Sequence, residues 1–335
     1  MSVLDNPLDV DRKYPSLLVI GGSGFIGSHL VAQLSARDYR VLVPTRHEDA
    51  ARHLLVLPNV DIVEADVHDE AQLRKLMDGV DAVINLVGIL HGKPAPSGTP
   101  YGADFARAHV ELPQKIVAAC GAAGVRRLLH MSALGAAVDA PSMYLRSKAA
   151  GEAAACASPA VGVTIFRPAV VFGEGDHFLN MFASLQKMLP VIPLGGADSR
   201  FQPVFVGDVA TAYIHALEND HTIGHVYELA GPQVYTLREL VELAGEISGH
   251  PHPVVALPPA LARLQAWFLE HAPGGPIMSR DNLDSMRVDN VAHLPIAPEL
   301  NITPTPLESV VPSYLGHEVN RIDLHRDKGG DAAHR

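Results

Sequence analysis

Tyr144 and Lys148 stand one helical turn apart, so on a helix they share a face. An ammonium beside a phenol stabilises phenolate and lowers the phenol's pKa. Such a phenol gives or takes a proton while a hydride moves to or from a cofactor ring, and the same ammonium can hold ribose hydroxyls. Ser132 supplies a hydroxyl suited to a substrate carbonyl. Tyr-x-x-x-Lys alone is also an ordinary helix surface. Its meaning depends on the elements around it.

Those elements begin with Leu17-Leu18-Val19-Ile20, an apolar run fit for a strand buried on both faces. Gly21-Gly22-Ser23-Gly24-Phe25-Ile26-Gly27 follows, and then Leu30, Val31 and Leu34 recur at helical spacing. Gly21 permits a tight turn, Gly24 lets backbone approach a pyrophosphate, and Gly27 lets the helix pack closely. The helix aims its free N–H groups at that phosphate. Strand, turn and helix together predict dinucleotide binding, with Ser23, Phe25 and Ile26 in the turn.

A second strand, Tyr39 to Val43, ends in Pro44-Thr45-Arg46-His47, where the adenosine ribose belongs. No carboxylate occurs before Glu48, and Arg46 offers a fork suited to phosphate. NADP(H) is therefore expected over NAD(H). Val60 to Glu64 is a third strand. Asp66 and Val67 after it suit the adenine, although Asp66 is equally placed to cap the helix near Asp69. Asp81 to Val87 is a fourth strand, and Asn85-Leu86-Val87-Gly88 would pass under the cofactor. The loop from His91 to Pro100 is expected to be mobile, and a helix over 103–123 should kink at Pro113. A fifth strand, Val125 to Met131, runs into Ser132, and a sixth spans Val163 to Phe166.

Strands alternating with helices predict an α/β fold: a doubly wound parallel Rossmann sheet with helices on both faces. The expected organisation is a leader (1–15), a cofactor domain (16–168), a smaller α/β lobe (169–316) and a disordered tail (317–335). The lobe is expected to return a strand near Val226–Ala230 to the sheet. Its helices are expected at 178–189, at 237–247 capped by Thr236, and at 260–269. In the last of these, Leu261, Leu264, Trp267, Phe268 and Leu269 form an apolar stripe. Packing on the lobe's own core is its expected role, with docking on a membrane-bound complex or bilayer as the alternative.

The 335 residues carry a net charge of −11, which argues against nucleic acid as a partner. Two cysteines, Cys120 and Cys156, provide no disulfide framework and fit a reducing compartment. The leader has no apolar core, and no window approaches the roughly twenty apolar residues of a membrane span. The expected location is cytoplasmic. The eighteen histidines show no metal-ligand spacing, so no metal is expected.

The chain resembles the short-chain dehydrogenase/reductases in their extended and atypical, epimerase/dehydratase-like branches. The likeness rests on Gly21 to Gly27, Asp66-Val67, Ser132, Tyr144-x-x-x-Lys148, Arg167-Pro168 and Val206-Gly207-Asp208-Val209-Ala210. It implies that Arg167-Pro168-Ala-Val-Val171-Phe-Gly173 lines the nicotinamide end, with Pro168 and Val171 at the cofactor. The active serine aligns with either Ser132 or Ala133. Asp66 to Asp69 with its flanking Ala65, Ile84 to Gly88, His130 to Gly135 and Met278 to Met286 are most similar to the nucleotide-binding accessory subunits of respiratory complex I and their bacterial relatives. That likeness implies tightly held NADP(H) in a structural or slow redox role, a membrane-associated respiratory complex as partner, and a place at the cytoplasmic face of a membrane. The alternative is an active oxidoreductase or epimerase on an unidentified small carbonyl or hydroxyl substrate. Two departures weigh against a sugar-nucleotide enzyme. The loop from Ala133 to Met143 is short, and Phe201 holds a position where such enzymes place arginine, Arg200 lying one residue early.

Overall fold

The computed structural model describes residues 14–272 and 278–315, so most of the expected leader and all of the expected tail lie outside the described residues. In chain order the strands are β1 Ser16–Ile20, β2 Arg40–Thr45, β3 Val60–Glu64, β4 Ala82–Asn85, β5 Arg127–Met131 and β6 Gly162–Pro168. Seven more follow: β7 Val171–Phe172, β8 Ile192–Leu194, β9 Arg200–Phe201, β10 Val204–Phe205, β11 Val226–Leu229, β12 Tyr235–Thr236 and β13 Val254–Ala256. The first lobe's helices are α1 Phe25–Ser35, α2 Glu70–Leu76, α3 Ala103–Phe105, α4 Leu112–Ala123 and α5 Met143–Ala155. Beyond them come α6 Phe178–Met188, α7 Val206–Glu218, α8 Leu237–Ile247, α9 Pro259–Glu270, α10 Arg280–Ser285 and α11 Leu307–Leu315.

One parallel sheet of seven strands runs β11-β6-β5-β4-β1-β2-β3. Alternate side chains of each strand enter different cores. Leu17, Val19, Val41, Ile84 and Leu129 meet α1 and α7 on one face. Leu18, Ile20, Val83, Leu128 and Ile165 meet α2, α4 and α5 on the other. Burial on both faces is why these strands read as unbroken apolar runs. The third strand and the returning β11 form where the sequence puts them. Strand β2 runs two residues further than expected, through Pro44, which fits because β1 pairs with β2 only as far as Leu42.

The helix expected over 103–123 is instead three pieces. Between α3 and α4, Ala106–Glu111 is a π-helical segment, and Pro113 falls in the first turn of α4. There its missing N–H costs little, so the proline starts a helix and does not kink one.

A separate core from Phe172 to Leu315 holds the smaller lobe together: Phe182, Leu194, Leu240, Val241 and Val311 pack among α6, α8 and α11. Thr236 caps α8 as expected, in a full capping box with Glu239. The apolar stripe of α9 is corrected. The helix buries Ala262, which lies close against Gly195, and Ala266, while Leu261 is 52% and Phe268 61% exposed. Leu264 and Trp267 are exposed with them. Among the described residues no helix is long and apolar enough to cross a membrane.

Candidate cofactor and catalytic site

In a parallel sheet all strands end on the same edge, and the singled-out residues collect there. Gly21 follows β1, Arg46 follows β2, Asp66 follows β3, Leu86-Val87-Gly88 follow β4, Ser132 follows β5 and Pro168 closes β6. Gly21 has φ +85°, and a β-carbon on it would stand 3.3 Å from the backbone of Leu86 and Val87. Glycine alone meets both demands. A β-carbon on Gly27 would collide with Gly21 O and Gly22, which fixes how closely α1 meets the turn. Gly24 begins α1 with no side-chain cap, leaving its first N–H groups for an anion. Ser23, Phe25 and Ile26 border this turn, half-buried. Arg46 is exposed immediately past β2.

Asp69, and not Asp66, caps α2: its Oδ1 accepts from Ala71 and Gln72 N–H at 2.8 and 3.0 Å. The Asp66 carboxylate instead accepts from His68 N–H at 2.9 Å and lies 3.8 Å from Arg107. Val67 is half-buried against the α2 side of the sheet.

Helix α5 puts Tyr144 and Lys148 on one face, beside the strand ends. Ser142 Oγ caps it by accepting from Leu145 N–H at 3.2 Å. Lys148 Nζ donates to Met131 O at 3.1 Å, and a β-carbon on Gly88 would sit 3.0 Å from that nitrogen. Burial pulls the Lys148 ammonium down to about 8, opposed by the Glu152 carboxylate one turn on. Glu152 is itself gripped by Arg167 through two bonds of 2.7 and 2.6 Å. Tyr144 departs from expectation: burial raises its phenol, and Lys148 Nζ stands 6.0 Å from its ring centroid. Within the protein alone the ammonium does not override desolvation of the phenolate.

Two histidines that sequence reading missed lie beneath this face. Ser147 Oγ donates to Tyr144 O at 2.7 Å, so it accepts from His109 Nδ1–H at 2.8 Å. That leaves His109 Nε2 to accept Ile89 N–H at 3.0 Å, tying the chain after β4 to α5 through a neutral imidazole. Burial and then the Lys148 and His130 charges hold His109 at about 2. His130 is held at about 3 by burial and Lys148. Its Nδ1 accepts from Asn85 Nδ2 at 3.2 Å, because Asn85 Oδ1 is taken by Val87 N–H.

Ser132 Oγ is buried and has no hydrogen-bond partner among the described residues, while Ala133 beside it is also buried. An unpartnered hydroxyl at a strand end, the open α1 N-terminus and the glycine cradle fit a dinucleotide laid along this edge. Pro168 O accepts from Leu134 N–H at 2.9 Å, holding the strand end together, and Val171 lies next to it.

The profile of the NAD dependent epimerase/dehydratase family matches residues 17–230. The chain belongs to that family. An Arabidopsis thaliana protein, mitochondrial NADH dehydrogenase [ubiquinone] 1 alpha subcomplex subunit 9, is 36% identical over 74% of this chain. The chain spans only 61% of that relative's length. The Mus musculus subunit of the same name is 31% identical, covering 87% of this chain and 77% of its own. A Streptomyces venezuelae dTDP-glucose 4,6-dehydratase structure with NAD and TYD bound superposes with a TM-score of 0.68 at 22% identity, over 91% of this chain and 98% of its own. That likeness shows the fold.

Proposed function

We propose that the chain holds NADP(H) along the carboxyl edge of its sheet, in a structural or slow redox role within a membrane-associated respiratory assembly. The glycine turn that opens into an uncapped α1 carries this reading. Gly21, Ser23, Gly24, Phe25, Ile26 and Gly27 would hold the pyrophosphate, and Arg46 the 2′-phosphate. Asp66 and Val67 would flank the adenine, Leu86, Val87 and Gly88 the middle of the cofactor, and Lys148 with Pro168 and Val171 its nicotinamide end. When bound, the cofactor would supply hydride chemistry. The relatives named as NADH dehydrogenase subunits support the assembly, and the exposed face of α9 supplies an apolar docking surface. Such docking would place the protein at the cytoplasmic face of the membrane.

A second reading is favoured by one observation: Tyr144 and Lys148 are both present on one buried face. In that case the chain is an oxidoreductase or epimerase on a small carbonyl or hydroxyl substrate. Tyr144 would pass the proton, and Ser132 would hold the carbonyl. Against a sugar nucleotide, Phe201 is buried in the lobe core and Arg200 pairs with Asp289 at 3.7 Å. Mass spectrometry of the purified protein should find NADP(H). A screen of carbonyl substrates for NADPH oxidation then separates the readings. Absence of any nicotinamide nucleotide, together with no binding on titration, overturns both.

A further inference from the structure

Asp281, in α10 of the smaller lobe, reaches across to the helix that carries Tyr144 and Lys148. Its Oδ1 accepts from Met143 N–H at 2.7 Å and its Oδ2 from Tyr144 N–H at 3.0 Å. Ser142 caps the same helix locally but reaches only Leu145 N–H, so Asp281 satisfies the two donors that Ser142 leaves. The carboxylate is buried at a helix N-terminus, where its charge also meets the positive end of the dipole. Its neighbour Asn282 bonds His91 Nε2 at 3.0 Å, holding the loop after β4 to the same turn. Helix α10 is fixed in turn: Ser279 and Asn282 form a capping box, Arg280 pairs with Glu270 at 2.9 Å and Arg263 with Asp284 at 3.2 Å.

We propose that Asp281 is a positioning residue through which the smaller lobe sets the first turn of α5 and so aims Lys148 at the nicotinamide ribose. The proposal rests on the cofactor reading above. Tyr144 N–H is bonded directly, and Lys148 lies one turn further along the same rigid element. A shift of that turn moves both side chains relative to Gly88 and the strand ends. The adenosine half of the cofactor, at β1 to β3, is untouched by it.

This asymmetry supplies the test. NADPH and adenosine 2′,5′-bisphosphate, the latter lacking the nicotinamide end, are titrated against the unmutated protein, Asp281→Ala, Asp281→Asn and Asp208→Asn. Asp208 of α7, which packs on the sheet, bonds Thr305 at 2.7 and 2.9 Å ahead of α11, so its variant reports general loosening. Asp281→Ala should weaken NADPH on the order of tenfold and leave the bisphosphate within about twofold. Asp281→Asn keeps the side chain's shape and one acceptor oxygen, so its loss should be intermediate, and it carries the test if the alanine variant does not fold. Asp208→Asn should lower the melting temperature without changing the ratio of the two affinities. Unchanged NADPH affinity in both Asp281 variants, or equal weakening of the two ligands, overturns the proposal. If the unmutated protein binds neither ligand, the cofactor reading fails first, and this one with it.

Discussion

Arg46 is one guanidinium on an exposed turn, yet on the proposed reading it would decide between two cofactors. A charged contact to phosphate is worth about 1.5–3 kcal/mol, so NADPH should bind about tenfold or more tightly than NADH, and Arg46→Ala should erase the gap. Equal affinities in the unmutated protein would sink this assignment. Lys148 carries a pH dependence. With its ammonium drawn down to about 8, NADPH affinity should weaken as pH rises through that value, and Lys148→Met should flatten the curve. If turnover exists, Tyr144→Phe should abolish it with little change in cofactor affinity. At this scale, what the sequence reveals is what chemistry encodes locally. Gly21, Gly24 and Gly27 announce themselves by spacing within seven residues. His109 and Asp281 do not, because their partners lie 38 and 138 residues away and exist only once the helices have crossed.

Elements were legible in proportion to how much their burial dictates their pattern. Strands sandwiched between two helical layers are continuous apolar runs, and Thr236 with Glu239 marks a helix start outright. The π-helical segment Ala106–Glu111 has no such signal, since it answers to a crossing. A β-carbon on Gly151 of α5 would collide with His109 O in that segment. Gly151→Ala should therefore push α5 away and destabilise the protein by about 1–3 kcal/mol or more, read as a lower denaturation midpoint with an unchanged slope. A neutral outcome would mean the two helices slide apart freely. The stripe of α9 misled for a related reason: its period marks an apolar face, but the helix buries Ala262 and Ala266 instead, with Ala262 against Gly195.

For the molecule as a whole, His109 and His130 are buried neutral, with folded values of about 2 and about 3. In the unfolded chain they take up protons near pH 6.5, so the unfolded state binds more protons below that pH. Stability contributed above pH 6.5 is lost as pH falls, steepening toward about 1.4 kcal/mol per pH unit for each group. Denaturation at pH 7 and pH 5 should show it, and His130→Gln should lessen the slope. The exposed face of α9 predicts that Trp267→Glu moves protein from the membrane fraction to the supernatant. Recovery of the unmutated protein wholly soluble at low salt, with no large complex, would end the docking idea. The net charge of −11 gives anionic lipid no part in that contact. The place of β11 has a consequence in time. It pairs with β6 from Val226↔Ile165 to Leu229↔Pro168, yet some sixty residues are made between the two strands. During synthesis on the ribosome β6 therefore waits as an open edge, with unpaired amides and apolar neighbours, until residue 229 has emerged. A ribosome stalled near residue 210, with β6 emerged and β11 still in the exit tunnel, should hold a nascent chain that binds chaperones and pairs with its like, and one stalled well past 260 should not.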